Sequence, residues 1–310
     1  MMPTHALDGT QIVPIGDVEI NLLSGVVNYG LGCFEGIRAY WSESEQQLYV
    51  FRMQEHLERL QRSAEILHIA LPVAIDEFAK AIGELLRAEK CREDAYIRPL
   101  AYKSNLAMGG RIDRLDDATL TWVSPIKDDP RLERGLKVTI SETRRINADA
   151  VPSEAKLTGT YINPLLARTR AQIDGYDDCI LLNSQGRVAE GSGWNILLLK
   201  DDRVITPALG EGILEGITRD TLLSLARIEL NLPVEERAVD PDELSTADEV
   251  LACGTGIQIL PVVEIDGIKI GDGQAGERFH QFWDLYSQVV HHSNTLYESW
   301  LMPIYPDATK

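Results

Sequence analysis

One lysine in this 310-residue sequence lies beside small residues that would let a ligand reach its amine. Lys156 lies in Ala-Lys-Leu-Thr-Gly-Thr-Tyr, where a glycine and small side chains leave room for a bulky ring. A primary amine can attack a carbonyl group and can also move protons. An isolated lysine is most often a solvent-exposed side chain, so the accompanying residues decide its role.

Three glycine-containing turns carry groups that suit a ring nitrogen or an anion. Residues 190–195, Glu-Gly-Ser-Gly-Trp-Asn, place the carboxylate of Glu190 where glycines let the backbone approach a ligand. Residues 215–220, Glu-Gly-Ile-Thr-Arg-Asp, begin a helix near Thr218, and the first N–H groups of a helix favour an anion. Residues 253–256, Cys-Gly-Thr-Gly, follow a strand and can contact a phosphate. Each segment is also compatible with an ordinary turn or helix cap.

Two further segments combine aromatic side chains with arginines. Residues 28–40 read Asn-Tyr-Gly-Leu-Gly-Cys-Phe-Glu-Gly-Ile-Arg-Ala-Tyr, and residues 95–100 read Ala-Tyr-Ile-Arg-Pro-Leu. Tyr96 and Arg98 are predicted to share one face of a strand, because strand side chains alternate with a period of two. Taken alone, both segments are also typical of half-buried strands with packed aromatic rings.

The spacing of apolar residues predicts the elements that position these segments. Leu57, Leu60, Ala64 and Leu67 recur at intervals of three and four, which indicates one apolar helix face. The predicted helices are residues 55–69, 75–88, 164–174, 218–230 and 276–291. The predicted strands are residues 48–51, 96–102, 119–123, 136–141, 178–182, 195–199 and 249–253. The expected fold class is therefore α/β, of the mixed α+β kind.

A polar, proline-punctuated stretch predicts a division into two domains. Residues 124–135 include Ser-Pro-Ile-Lys-Asp-Asp-Pro-Arg and are interpreted as a linker. The linker separates a smaller N-terminal domain, residues 1–123, from a larger C-terminal domain, residues 136–310. A chain of this length is sufficient for two domains of ordinary size.

Composition argues against several classes of function. The net charge is −18 and no dense run of Lys or Arg occurs, so nucleic acid and anionic membranes are not expected partners. The four cysteines are far apart and no His-Glu-x-x-His spacing occurs, so neither a disulfide framework nor a metal site is predicted. No leader-like segment and no apolar run of about 20 residues is present, so a cytoplasmic location is expected.

Together and in this order, the segments resemble the fold-type-IV pyridoxal-phosphate (PLP) enzymes, and specifically the branched-chain amino acid aminotransferases. The resemblance extends from about residue 18 to about residue 290. It is carried by Tyr-Gly-x-x-x-Phe-Glu-Gly-Ile-Arg, Tyr-Ile-Arg-Pro-Leu, Glu-Gly-Ser-Gly-x-Asn and Glu-Gly-Ile-Thr-Arg-Asp. It implies a smaller N-terminal α/β domain and a larger C-terminal domain, with the cofactor between them.

The resemblance also implies roles for individual residues around pyridoxal 5'-phosphate. Lys156 matches the lysine that carries the cofactor covalently and moves the substrate proton. Glu190 matches the carboxylate that faces the pyridine nitrogen, Tyr161 the tyrosine near the cofactor O3′, and Leu214 the residue packed on the ring face. The residues that match the phosphate site are Arg59, Ile217, Thr218 and Thr255.

The substrate site is implied in the same way. The matching residues are Tyr29, Phe34, Gly36, Tyr96, Arg98, Met108 and Gly256. Arg98 would bind the distal carboxylate of glutamate or 2-oxoglutarate, and aromatic walls would suit aliphatic side chains. Tyr29 and Met108 match residues that reach in from a partner subunit, so the implied assembly is a homodimer or a higher homo-oligomer.

The implied function is a ping-pong transamination between leucine, isoleucine or valine and 2-oxoglutarate, as in branched-chain amino acid biosynthesis. This function is favoured by Phe34, Gly36, Arg38 and Arg98 together. Three features depart from the family pattern: the linker lacks a tyrosine, Gly110 stands where a valine is common, and Trp194 replaces an acidic residue.

All three departures are expected on the substrate side, so the substrate range stays open. An (R)-selective amine or D-amino acid transaminase of the same fold remains an alternative, also as an additional activity. A PLP lyase of this fold, such as an aminodeoxychorismate lyase, and a non-enzymatic binding protein are further alternatives. The joint presence of Lys156, Glu190 and Arg59 favours an enzyme.

Overall fold

A computed structural model of the chain describes residues 3–105, 110–127 and 129–306. The chain divides into two units, and neither is a continuous stretch of sequence. Unit 1 comprises residues 1–127, 155–159 and 288–310, and unit 2 comprises residues 128–154 and 160–287. The short segment around Lys156 therefore belongs to unit 1, although the chain on both sides of it belongs to unit 2.

Within the described part of unit 1, eight strands form one antiparallel sheet. Numbered along the whole chain, they are β1 (His5–Asp8), β2 (Gln11–Pro14), β3 (Gly32–Phe34), β4 (Ile37–Ser42), β5 (Gln47–Phe51), β6 (Ala95–Lys103), β7 (Asp117–Pro125) and β17 (Leu301–Pro303). Their order is β17-β5-β4-β6-β7-β1-β2, and β3 pairs with β6. The helices are α1 (Gly25–Tyr29), α2 (Met53–Ile66) and α3 (Ile75–Ala88).

Helix α2 buries polar as well as apolar side chains. The predicted apolar stripe is present and buried: Leu57, Leu60 and Ala64 lie on the helix, and Leu67 directly follows its last residue. Interleaved with them at the same helical spacing are three buried polar residues: His56, Arg59 and Ser63. The helix packs against α3, β3 and β6. Buried polar groups require hydrogen-bond partners, so this face of α2 points to a polar network inside unit 1.

Within the described part of unit 2, nine strands form a mixed sheet of order β10-β9-β8-β15-β14-β11-β12-β13, with β16 on β15. They are β8 (Leu136–Ile140), β9 (Asp178–Leu182), β10 (Val188–Gly191), β11 (Asn195–Lys200), β12 (Arg203–Pro207), β13 (Val234–Arg237), β14 (Glu249–Gly254), β15 (Gln258–Ile265) and β16 (Ile268–Lys269). The parallel pairs are β8–β9, β8–β15 and β12–β13. The helices are α4 (Arg131–Arg134), α5 (Ile162–Ile173), α6 (Ile217–Ile228), α7 (Pro241–Leu244) and α8 (Glu277–Val290), whose residues 288–290 belong to unit 1.

Helices cover the sheet of unit 2 and help to form its core. Helix α6 packs on β13 and β14, and helix α5 packs on β9. The core is apolar, with members including Val138, Ile180, Ile196, Val250 and Leu260. No helix among the described residues is long and apolar enough to cross a membrane.

The predicted α/β class is confirmed, and the long helices lie close to where periodicity placed them. The predicted helices 55–69, 75–88, 164–174, 218–230 and 276–291 correspond to α2, α3, α5, α6 and α8. Strand β7 continues to Pro125, beyond the predicted end at residue 123. The strands that the sequence did not predict are mostly short, and a run of three or four residues is too short to show a period.

Candidate active site

The segment that carries Lys156 is held in unit 1 by hydrogen bonds on both sides of the lysine. The backbone N–H of Lys156 donates to Ser63 Oγ at 3.0 Å. The backbone carbonyl of Lys156 accepts from the N–H of Phe34 at 3.1 Å. Two residues later, Thr158 Oγ1 donates to the carbonyl of Gly30 at 2.8 Å. The backbone at Lys156 is therefore fixed, and its half-buried side chain extends from a rigid base.

A pair of glycines makes this close docking possible. Gly30 adopts a φ of +66°, and a Cβ added there would lie 2.8 Å from the Cα of Gly159. Both the left-handed backbone and the lack of space therefore favour glycine at position 30. The strand-like bridge between Cys33 and Leu157 continues the same contact.

A buried ion pair lies on the α2 side of this segment. Glu35, in the turn between β3 and β4, is 0% exposed. Arg59 Nε donates to its Oε1 at 2.6 Å, and Arg59 Nη2 donates to its Oε2 at 2.9 Å. His56 Nδ1 lies 2.8 Å from Oε2, and the Gly36 N–H donates to the same oxygen at 3.2 Å. Both carboxylate oxygens thus have partners, as a buried charge requires.

The electrostatics of this cluster favour an ionised Glu35 and a neutral His56. Burial alone would raise the pKa of Glu35, but the Arg59 guanidinium and His56 outweigh burial and hold that pKa well below its usual range. Burial lowers the pKa of His56, although Glu35 opposes this effect. Ser63 connects the cluster to the lysine, because its Oγ donates to the Arg59 carbonyl at 2.8 Å and accepts from the Lys156 N–H.

Arg98 lies among aromatic rings in the same unit. Its guanidinium carbon is 4.3 Å from the ring centre of Phe34, 5.1 Å from that of Tyr96 and 5.9 Å from that of Trp122. Arg98 Nη2 donates to the Tyr96 hydroxyl at 2.7 Å, so the prediction that Tyr96 and Arg98 share a strand face is confirmed. The Phe34 ring also lies 5.2 Å from Lys156 Nζ. Aromatic faces attract cations of both kinds.

The Tyr96 hydroxyl leaves no room for any residue larger than glycine at position 36. A Cβ on Gly36 would lie 2.3 Å from that oxygen, which is closer than non-bonded atoms approach. The structure therefore brings together six of the predicted residues in unit 1: Phe34, Gly36, Arg59, Tyr96, Arg98 and Lys156. No pattern in the sequence indicated Glu35, His56, Ser63 or Trp122 as members of this site. The repeated polar residues on the otherwise apolar face of α2 were the available signal for two of them.

In unit 2, Glu190 is also held through both carboxylate oxygens. Arg145 Nε donates to Oε1 at 2.7 Å. The Leu214 N–H and Asn195 Nδ2 donate to Oε2 at 2.9 and 3.3 Å. The Glu190 side chain is 9% exposed and that of Arg145 is 12% exposed, so the pair is largely removed from water. Arg145 lies between predicted elements, 45 residues from Glu190, and no local pattern indicated the pairing.

The N-terminus of α6 lies beside this carboxylate through Asn195 and Gly216. Asn195 Nδ2 donates to the Leu214 carbonyl at 3.0 Å, and a Cβ on Gly216 would lie 1.9 Å from Asn195 Oδ1. Among the described residues, no side chain caps this helix at Gly216. A helix N-terminus carries partial positive charge and suits a phosphate. The predicted residues Glu190, Leu214, Ile217 and Thr218 therefore lie in one part of unit 2.

The remaining predicted residues take different positions. Thr255 and Gly256 follow β14 in the turn after Gly254, where a Cβ on Gly254 would lie 3.2 Å from the Gly193 carbonyl oxygen. That turn therefore lies against the turn that follows β10, the strand that carries Glu190. Tyr161 immediately precedes α5, and Tyr29 ends α1 with 65% of its surface exposed. Met108 lies outside the described residues.

Trp194 was expected on the substrate side, but the structure places it in the core of unit 2. Its side chain is 3% exposed and packs in the core of the unit 2 sheet. Its indole N–H donates to Asp178 Oδ2 at 3.1 Å. A Cβ on Gly191 would lie 2.0 Å from the indole ring, so the glycine makes room for it. Burial of a large apolar ring with its one donor satisfied explains this placement.

These groups fit the chemistry of PLP. A primary amine, a carboxylate with a fixed orientation, an uncapped helix N-terminus and a guanidinium match an aldehyde, a ring nitrogen and a phosphate. A guanidinium has five N–H donors, so an arginine such as Arg59 can contact more than one anion. Among the described residues, no group of three or more His, Cys, Asp or Glu side chains is placed to hold a metal ion.

Known proteins share both the sequence and the fold of this chain. The profile of the family described as Amino-transferase class IV matches residues 32–265. A probable branched-chain-amino-acid aminotransferase of Aquifex aeolicus is 41% identical over 295 residues, 95% of each chain. The branched-chain aminotransferase of Thermoproteus uzoniensis, solved with norvaline, has a TM-score of 0.93 and 37% identity, over 97% of this chain and 99% of that one. The PLP-form of the Thermobaculum terrenum enzyme has a TM-score of 0.92 and 34% identity, over 98% and 99%.

The substitution Glu35→Gln is expected to lower the free energy of unfolding by about 3 kcal/mol at neutral pH, because it leaves the Arg59 charge buried without its carboxylate. The folded protein holds the pKa of Glu35 below its ordinary value of 4.5. The wild type is therefore more stable than the variant by the full difference in free energy of unfolding above that pH. The advantage declines as the pH falls below 4.5 toward the folded pKa. Urea unfolding at a series of pH values measures this difference.

The matched control is Glu65→Gln, an exposed glutamate on the same helix. That substitution is expected to change the free energy by less than about 0.5 kcal/mol at every pH. A Glu35→Gln variant whose stability runs parallel to that of the wild type across the acid range would contradict the assignment.

Proposed function

The chain belongs to the class IV aminotransferases, and from that membership we propose that it transfers the amino group of branched-chain L-amino acids to 2-oxoglutarate. As a member of this family it is a transferase, and its cofactor is pyridoxal 5'-phosphate. The observation that carries the substrate proposal is the similarity to branched-chain aminotransferases over nearly the whole chain. The alternative of an (R)-amine or D-amino acid transaminase is not favoured, because the relatives and solved structures described above are branched-chain enzymes.

We assign the acid–base chemistry to Lys156 and Glu190. When bound, PLP supplies a ring that withdraws electrons from the substrate Cα. Lys156 Nζ would carry the cofactor, and once freed by the substrate amine it would move a proton between the substrate Cα and the cofactor C4′, first as a base and then as an acid. Glu190 holds a proton at the ring nitrogen, and Arg145, Asn195 and the Leu214 N–H keep its carboxylate in a single orientation.

The phosphate site is proposed to combine one guanidinium with the start of α6. Its residues are Arg59, Ile217, Thr218 and Thr255. The helix N-terminus contributes backbone N–H groups, the threonines contribute hydroxyls and Arg59 contributes a full positive charge. Tyr161 is assigned to the cofactor O3′ and Leu214 to the ring face.

The substrate site is proposed to use Arg98 for carboxylates and aromatic walls for aliphatic side chains. The rings of Phe34, Tyr96 and Trp122 surround the guanidinium of Arg98 and supply an apolar lining. An arginine set among apolar walls accepts both an anionic and an aliphatic substrate in alternate half-reactions. Gly36 and Gly256 are assigned to the same site, and Tyr29 and Met108 are assigned to the site of a partner subunit.

We propose a homodimer as the smallest active assembly. Each unit presents a cluster of exposed apolar side chains, which is typical of surfaces that associate. In unit 1 the cluster includes Leu22, Leu23, Val27 and Tyr29. In unit 2 it includes Ile162, Leu165, Leu166 and Ile173 on α5.

The four cysteines are free thiols, which supports a reducing compartment and hence the proposed cytoplasmic location.

The substitution Lys156→Ala is expected to abolish the cofactor absorbance that stays with the protein after borohydride reduction and denaturation, because reduction fixes the cofactor only where it is bonded to a lysine. Lys80→Ala, at an exposed lysine of α3, is the control and keeps the absorbance. A colourless wild type would refute the cofactor assignment. A Lys156→Ala variant that retains the cofactor after reduction and denaturation would show that another lysine carries it.

Steady-state assays with L-leucine and 2-oxoglutarate test the substrate proposal. The wild type is expected to turn over this pair, and Arg98→Gln to lower kcat/KM for 2-oxoglutarate by about 10- to 100-fold, since a charged hydrogen bond is lost. The 2-oxo acid of leucine has no distal carboxylate and serves as the control, with a much smaller change. No turnover of L-leucine, with turnover of D-alanine or (R)-1-phenylethylamine, would reverse the proposal.

The substitution Leu166→Glu is expected to weaken dimerisation at least about tenfold, because it places a charge where an apolar side chain would be buried. Gln172→Glu makes the same change of charge on the same helix and is the control. Sedimentation velocity over a range of concentrations measures the dissociation. A monomeric wild type, or a Leu166→Glu variant as dimeric as the control, would disprove this surface.

A further inference from the structure

His56 is the third member of the buried cluster formed with Glu35 and Arg59. The residue is 1% exposed, and its Nδ1 lies 2.8 Å from Glu35 Oε2. One helical turn separates His56 from Arg59 on α2, so both side chains reach the same carboxylate. The imidazole therefore braces the carboxylate that orients the arginine. No role in the proposed transamination requires it.

The charges around His56 are balanced. Glu35 and Arg59 carry opposite unit charges, and burial lowers the pKa of His56 from its ordinary value of 6.5. Glu35 favours the protonated ring, while the charges of Arg59 and Lys156 oppose it. The nearby Cys33 thiol stays neutral because burial raises its pKa to about 12. In this state the neutral imidazole is the form that the surroundings stabilise.

A phosphate on Arg59 changes that balance. In the proposed function Arg59 binds the cofactor phosphate, and a dianion would add two negative charges beside a cluster that water does not reach. A proton on the imidazole would compensate part of the added charge and would strengthen its bond to Glu35.

We propose that His56 is a positioning residue that takes up a proton when the phosphate binds beside Arg59, and that it thereby couples cofactor affinity to pH. This inference rests on the proposed function, because it requires Arg59 to be the phosphate arginine. It predicts that the cofactor binds more weakly as the pH rises. The weakening reaches up to about tenfold per pH unit in the range where the bound form is protonated and the free form is not.

The test measures cofactor binding rather than turnover. Apoenzyme is titrated calorimetrically with pyridoxal 5'-phosphate between about pH 6 and 8, in two buffers of different ionisation enthalpy, which gives the number of protons taken up. The wild type is compared with His56→Asn, whose side chain keeps an N–H donor for Glu35 but cannot be charged. We expect the variant to take up fewer protons, by up to one, and its affinity to vary less with pH.

Pyridoxal, which lacks the phosphate, is the control ligand. It is expected to show no difference in proton uptake between wild type and variant, because no dianion reaches Arg59. Equal proton counts and equal pH slopes for pyridoxal 5'-phosphate in the two proteins would overturn the role of His56 while leaving the proposed function intact. A wild type that does not bind pyridoxal 5'-phosphate would overturn both. If His56→Asn does not fold, equal proton uptake by the wild type with the two ligands at pH about 8 overturns the inference.

Discussion

The buried ion pair of Glu35 and Arg59 is the interaction on which the surroundings of Lys156 depend. Taking two charges out of water costs several kcal/mol for each ion, and only a complete set of hydrogen bonds offsets that cost. The partners come from the turn after β3 and from α2, so these elements must meet in one arrangement for the pair to form. A helix that slid by one turn would leave a buried charge without a partner.

The Ser63 hydroxyl carries that constraint from α2 to the lysine. Ser63 lies one turn beyond Arg59, accepts from the Lys156 N–H and donates to the Arg59 carbonyl. The base of the lysine is therefore located by the same helix that carries the guanidinium. Glu190 in unit 2 follows the same principle, since donors on both oxygens leave the carboxylate one orientation. Groups whose supports are fixed lose less entropy when they act on a ligand.

The sequence reveals those parts of this arrangement that repeat at short range. The stripe of Leu57, Leu60 and Ala64 predicts α2 because its period is local, and the alternation of Tyr96 and Arg98 predicts a shared strand face. In the sequence, Glu35 resembles an ordinary turn residue between Phe34 and Gly36. Its partners His56 and Arg59 lie 21 and 24 residues away. Arg145 is still more remote from Glu190, at 45 residues. Such pairings depend on how sheets and helices assemble, which no local period encodes.

Trp194 shows the opposite case: its departure from the family pattern predicts a change on the substrate side, but its ring lies in the core of unit 2. The indole is apolar apart from one N–H group, and the interior offers Asp178 as its acceptor. Packing therefore outweighs the proximity of this residue to Glu190 in the sequence. A substitution next to a catalytic motif can serve the core alone.

The discontinuity of unit 1 has a consequence for synthesis of the chain. Strand β5 is buried along its whole length, and its outer neighbour in the sheet is β17, about 250 residues later. A nascent chain therefore carries an unpaired hydrophobic edge until almost all of it has left the ribosome. Unpaired edges of this kind recruit strands from other chains. Chains that stop before residue 301 are exposed to aggregation even when every residue assigned to the active site is present.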